Sequence, residues 1–144
     1  MQSSNQNLKI TKLINRKNWT KKNFEKELDK LDYTFGEKAF IINKLVKTSI
    51  IDDERWALLY IEKKNSSIKS NRLLKSELLQ HGIENEVIDT LLLKRKDTEA
   101  CIRAIEYKKK KNTRDSTEEK KLYNYLISKG FPYNLAYNIL GNKM

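Results

Sequence analysis

The chain has 144 residues and 17.1 kDa, and carries 30 Lys+Arg against 19 Asp+Glu, for a formal net charge of +11 and a pI near 9.6. One Pro and four Gly are too few for a sandwich or barrel, which needs a turn every ~8–12 residues; one Cys excludes a disulfide framework and a Cys-based zinc site. No apolar run approaches the ~20 residues of a membrane-spanning helix, so small helical modules in a reducing cytoplasm are expected.

Residues 1–7 are polar, lack a signal-peptide apolar core and are expected as a flexible tail. Helical periodicity dominates the rest of the chain. Phe24, Leu28 and Leu31 recur at i, i+4, i+7 behind Thr20, a natural N-cap. Ile41, Leu45 and Val46 form the next stripe. Asp52 is placed to cap a helix holding Trp56, Leu59 and Tyr60, with Asp53 and Glu54 in its first turn, where the helix dipole favours acids. Leu74, Leu78 and Leu79 come next, then Val87, Ile88, Leu91 and Leu92. Ser116 and Glu119 have capping-box spacing before Leu122, Tyr125 and Leu126. Leu135, Ile139 and Leu140 form the last stripe. Gly82 and Gly130 are natural left-handed stops, each followed by a large apolar residue, Ile83 and Phe131, and Pro132 suits the first turn of a new helix.

These stops suggest a repeat. His81-Gly82-Ile83 matches Lys129-Gly130-Phe131, with Leu78 and Leu126 at equal offsets. Leu28, Asp32 and Tyr33 stand in the same relation, with Asp in the place of Gly; Asp tolerates the left-handed region better than most residues. The expected units are 8–51, 52–96 and 97–144, with net charges of +6, +1 and +4. A basic-neutral-basic stack suits a long polyanionic track. The basic residues are 24 Lys and six Arg beside 14 Asn, so part of the charge also reads as compositional bias.

The segment Ile51-Asp52-Asp53-Glu54-Arg55-Trp56-Ala57 resembles the apolar-Asp-Asp-x-Arg-aromatic-Ala motif of RecX proteins, bacterial regulators of the recombinase RecA. Glu77-Leu78-Leu79-Gln80-His81-Gly82-Ile83 is similar to their Glu-Leu-x-x-x-Gly-apolar helix end, and Lys129 to Leu140 resembles their closing segment. The resemblance runs from about Leu13 to Leu140. This chain departs from it at Asp32, Ser49 and Ser70, where Gly is common in the family, and at Trp56, where Phe is commoner. The resemblance implies an all-α fold of three tandem three-helix repeats in an elongated, curved stack. It also implies binding in the groove of the RecA–single-stranded-DNA filament, with restraint of ATP hydrolysis, strand exchange and co-protease activity. No cofactor is implied.

The residues give no active site. His81, the one His, reads as a cation at a helix C-terminus, Cys101 as a small buried hydrophobe, and Asp52 and Asp53 as caps. No Gly-rich phosphate loop is present, so neither catalysis nor a metal is expected. The candidate RecA and DNA contacts are basic: Arg55, Lys63, Lys64, Lys69, Arg72 and Lys75; Lys21 and Lys22, beside Lys17 and Lys26; and Lys108, Lys109, Lys110, Lys111 and Arg114. Arg72 matches a basic position of the family's second repeat. Each Lys could equally lie on a solvated face; Arg55 and Arg72 are the stronger candidates, since Arg is scarce here and forks onto carboxylate or phosphate, though Arg55 could instead pair with Asp52 or Glu54. Trp56 and Tyr60 read as core, and Trp19 as freer to stack on a base. The expected partner is the RecA nucleoprotein filament with its DNA phosphates, met by a monomer without membrane contact. The alternative is a stand-alone basic helical DNA-binding or architectural protein.

Overall fold

The computed structural model describes residues 4–65, 67–111 and 119–143. Among them lie nine helices and no strand: α1 (Ser4–Arg16), α2 (Lys21–Leu28), α3 (Phe35–Lys47), α4 (Asp53–Lys64), α5 (Asn71–Gln80), α6 (Asn85–Leu92), α7 (Asp97–Lys111), α8 (Glu119–Ser128) and α9 (Tyr133–Lys143). The chain is all-α, as its periodicity requires. Residues 4–7 belong to α1, so that part of the expected tail is helix.

Buried side chains fall into three clusters, each drawn from three consecutive helices and their loops. Trp19, Phe24, Leu28, Ile41 and Leu45 fill the first; Ala57, Ile61, Leu74, Leu78 and Ile88 the second; Ala104, Ile105, Leu126, Phe131 and Leu140 the third. Complete burial of a Leu or Ile contributes ~1.5–3 kcal/mol, so each triplet is held chiefly by its own apolar stripes. In α4 the stripe is rotated from the expected one. Ala57 and Ile61 face inward, Trp56 and Tyr60 flank them, and Leu59 is exposed.

The helix ends explain the turns. Asp52 Oδ1 accepts from Arg55 N at 3.1 Å, and Thr20 Oγ1 from Asn23 N at 3.2 Å. Gly82 (φ 88°) and Gly130 (φ 86°) are left-handed. After them Ile83 N bonds Leu78 O at 3.1 Å and Phe131 N bonds Leu126 O at 3.2 Å, closing Schellman turns. Ser49 (φ 62°) does the same for α3, with Ile50 N on Leu45 O at 3.0 Å.

Asp32 does not adopt the expected left-handed conformation. Instead Lys30 N bonds Glu27 O and Leu31 N bonds Leu28 O, so α2 ends in tight right-handed turns that a residue with a Cβ adopts without strain. Pro132 lies just before α9 rather than within it, and its carbonyl accepts from Ala136 N at 3.1 Å. The expected Ser116–Glu119 box falls outside the described residues.

Candidate functional site

Two quasi-equivalent joints link the helix triplets. At the first, Asp53 Oδ1 accepts from Lys21 N at 2.8 Å, and Lys22 Nζ donates to Gln80 O at 3.2 Å. At the second, Asp97 Oδ1 accepts from Asn71 N at 2.7 Å. In both, the first residue of one triplet's opening helix satisfies an orphan N–H of the preceding triplet's second helix. The stop glycines sit at the same joints. A Cβ on Gly82 would lie 2.5 Å from Lys22 Cβ, and one on Gly130 would lie 2.5 Å from Ser70 Oγ.

Behind the first joint, Trp56 stacks on Tyr60 (centroids 5.2 Å apart, planes at 16°) and lies 4.7 Å from His81. The Tyr60 hydroxyl donates to Glu77, whose other oxygen accepts from Lys69 Nζ at 2.6 Å. Burial and then the Glu77 carboxylate push the Tyr60 phenol up to about 12. Burial alone would raise the Glu77 carboxyl, but Lys69 and Tyr60 outweigh it and hold it low.

Asn23 lies beside His81, its amide nitrogen 3.0 Å from Nδ1. Burial, reinforced by Lys17, Lys22 and Lys26 against Glu77, lowers the His81 pKa. The lowered pKa disfavours the cationic role expected of His81 at this helix end, where its backbone N–H caps α5 on Glu77 O and Leu78 O.

Trp19 is also corrected. It is buried, its Nε1 donates to Leu13 O at 2.8 Å, and Phe24 packs edge-on against it, so it is core rather than a stacking platform. Cys101 is fully buried and its thiol is pushed up to about 11, chiefly by burial. No group of three or more His, Cys, Asp or Glu could hold a metal ion among the described residues. Nor is any described helix long and apolar enough to cross a membrane.

The basic candidates do not converge on one spot. Lys69 is tied to Glu77, and Lys75 to Asp89 at 2.8 Å. Lys22 holds the first joint, while Lys21 serves it through its backbone and leaves its side chain exposed. Lys64 lies over the Tyr60 ring and Lys108 over Tyr125. Arg55, Lys63, Arg72, Lys109 and Lys110 are exposed, and no ion pair engages them among the described residues. Arg55 therefore pairs with neither Asp52 nor Glu54. Lys111 is the last residue of α7, and Arg114 lies outside the described residues.

Two arginines that sequence patterning missed are structural. Arg95 Nη1 donates to Asn71 Oδ1 at 2.7 Å, and Arg103 Nη2 donates to Asn65 O at 2.8 Å and Ser67 O at 3.1 Å. Together they fasten the α4–α5 loop. Their partners lie 24 to 38 residues away, beyond any local signal.

Over 127 residues the chain is 35% identical to regulatory protein RecX of Caldanaerobacter subterraneus subsp. tengcongensis, an alignment covering 83% of this chain and 61% of that protein. The chain belongs to the RecX family. It is also 25% identical over 134 residues to regulatory protein RecX of Mycolicibacterium smegmatis, covering 84% of this chain and 70% of that protein. The crystal structure of RecX from Lactobacillus salivarius superposes with a TM-score of 0.77 at 23% identity, over 91% of this chain and 89% of that one. A second crystal structure of regulatory protein RecX gives 0.75 at 21% identity, over 93% of this chain and 68% of that one. These two likenesses establish the RecX fold for the chain. No protein-family model matches it.

Proposed function

We propose that the chain is a RecX-type regulator that binds in the groove of the RecA–single-stranded-DNA filament and restrains RecA ATP hydrolysis, strand exchange and co-protease activity. The observation that carries this reading is the 35% identity to a relative named regulatory protein RecX. Helix triplets 8–51, 52–96 and 97–144 act as three repeats along the filament, bridging adjacent RecA protomers. The bound protein opposes the opening and closing of protomer interfaces that ATP turnover requires. It works in the cytoplasm as a monomer, with no catalysis of its own.

The cations in best position to meet phosphates or acidic RecA surface are Arg55, Lys63, Arg72, Lys109 and Lys110, all exposed. Lys69 and Lys75 are weaker candidates, because each already faces a carboxylate.

The test compares binding to a RecA–DNA filament with binding to naked single-stranded DNA at ~150 mM salt, where long-range attraction between exposed charges is screened. Tighter binding to the filament supports the reading. Equal or tighter binding to naked DNA, with a steep salt slope, supports a stand-alone DNA-binding protein instead.

A further inference from the structure

α4 presents apolar residues on both sides. Ala57 and Ile61 are buried, yet Leu58 and Leu59 remain 42% and 45% exposed, and Ile50 just before the helix is 56% exposed. Two adjoining depressions, of about 150 and 230 Å³, share Asn18, Trp56 and Leu59 and run as one shallow groove between the α1–α2 loop and α4. Ile50 and Arg55 line one end and Lys63 the other.

Arg55 and Lys63 are eight residues apart on one helix, about 12 Å along its axis. Both are exposed and without an ion pair among the described residues. Asp52 also lines the groove, but its carboxylate accepts the Arg55 N–H as the helix cap. The groove therefore has a mixed floor, with Leu59 and the half-buried Trp56 beside Asn18, between two available cations.

That chemistry selects among polyanions. A base would stack on an aromatic face, and the half-buried Trp56 already stacks on Tyr60 with His81 4.7 Å away, while Trp19 is core. Leu59 and Ile50 offer aliphatic surface, which accepts an apolar side chain. An extended peptide rises about 3.3 Å per residue, so ~12 Å spans about four residues.

We propose that this groove docks an extended protein segment with an apolar side chain between two carboxylates about four residues apart. The inference rests on the reading of the chain as a RecA-filament ligand only in assigning that segment to the filament's protein component. The groove itself is tested without RecA.

The experiment follows the Trp56 indole N–H resonance of the full chain by NMR. The probes are a peptide carrying Asp-Gly-Phe-Gly-Asp within Gly–Ser flanks and an oligothymidylate. The peptide is expected to shift the Trp56 signal saturably, with affinity at least about tenfold weaker for Leu59→Ser and for Arg55→Glu with Lys63→Glu. Replacing the peptide Phe with Ser should abolish the shift. All substituted positions are exposed, and an unchanged circular dichroism spectrum and melting temperature establish that the variants are folded.

Absence of a peptide shift, or equal affinity for Leu59→Ser, would overturn the proposal. A larger, saturable Trp56 shift with oligothymidylate would overturn it in favour of nucleic acid. Filament binding by the unsubstituted chain is a separate measurement, so a failure there bears on the RecA reading and not on the groove.

Discussion

Asp53 and Lys21 are joined across 32 residues: the carboxylate of Asp53 accepts the backbone N–H of Lys21 at 2.8 Å. Asp97 repeats the relation with Asn71 at 2.7 Å, across 26 residues. Each bond lets the opening residue of one helix triplet cap the second helix of the triplet before it. The joints thus combine a local cap, Thr20 or Ser70, with one from the next triplet. Replacing Asp97 with Ala should lower stability by ~1 kcal/mol, because it orphans an N–H at a helix start. Chemical denaturation checks the value. An unchanged midpoint would show that water replaces the carboxylate without loss.

Gly130 is the stop glycine whose close neighbour, Ser70, is itself fully buried. Its φ of 86° disfavours any Cβ, and a Cβ there would approach Ser70 Oγ to 2.5 Å. Gly130→Ala should therefore destabilise by about 2–3 kcal/mol, more than the ~1–2 kcal/mol of the left-handed backbone alone. A thermal melt of the variant measures it. A loss of only about 1–2 kcal/mol, that of the left-handed backbone alone, would mean that Ser70 moves aside freely.

Ser49 offers the reverse change. It holds a left-handed conformation (φ 62°) that glycine adopts without strain. Ser49→Gly should stabilise the chain by about 1 kcal/mol, raising the melting temperature by about 3 °C. A fall in melting temperature would show that the glycine's extra freedom in the unfolded chain outweighs the relieved strain.

His81 gives the pH prediction. Its folded pKa lies below the ordinary 6.5, from burial first and then from Lys17, with Lys22 and Lys26 adding to it. Between that folded value and 6.5 the unfolded chain binds more protons than the native one. Stability must therefore rise with pH through this window. The His81 contribution is fully present above 6.5 and is lost as pH falls through the folded pKa. Melting temperatures between about pH 5 and pH 7 should show this slope, and His81→Gln should flatten it. An NMR titration placing the ring's pKa above 6.5 would contradict the lowered value.

How much of this was legible in the sequence depended on the range of the interaction. The Asp52 cap and the glycine stops read correctly because each acts within about one helical turn. The outward face of Leu59 did not, since α4 has apolar residues on both sides and its period alone could not choose between them. Trp19 was misread from polar neighbours, while its indole N–H found a carbonyl six residues back. Lys69 and Lys75 looked available because their carboxylates lie eight and 14 residues away, outside the i+4 reach of a helix face. The RecX resemblance rested on short motifs whose residues prove to be caps, stops and core. It identified the fold more firmly than the contact surface.

RecA ATP hydrolysis on single-stranded DNA, measured as this protein is titrated in, reads out the proposed restraint of RecA. Hydrolysis should fall progressively at amounts no greater than stoichiometric with RecA. Hydrolysis that stays unchanged through stoichiometric addition would contradict that restraint.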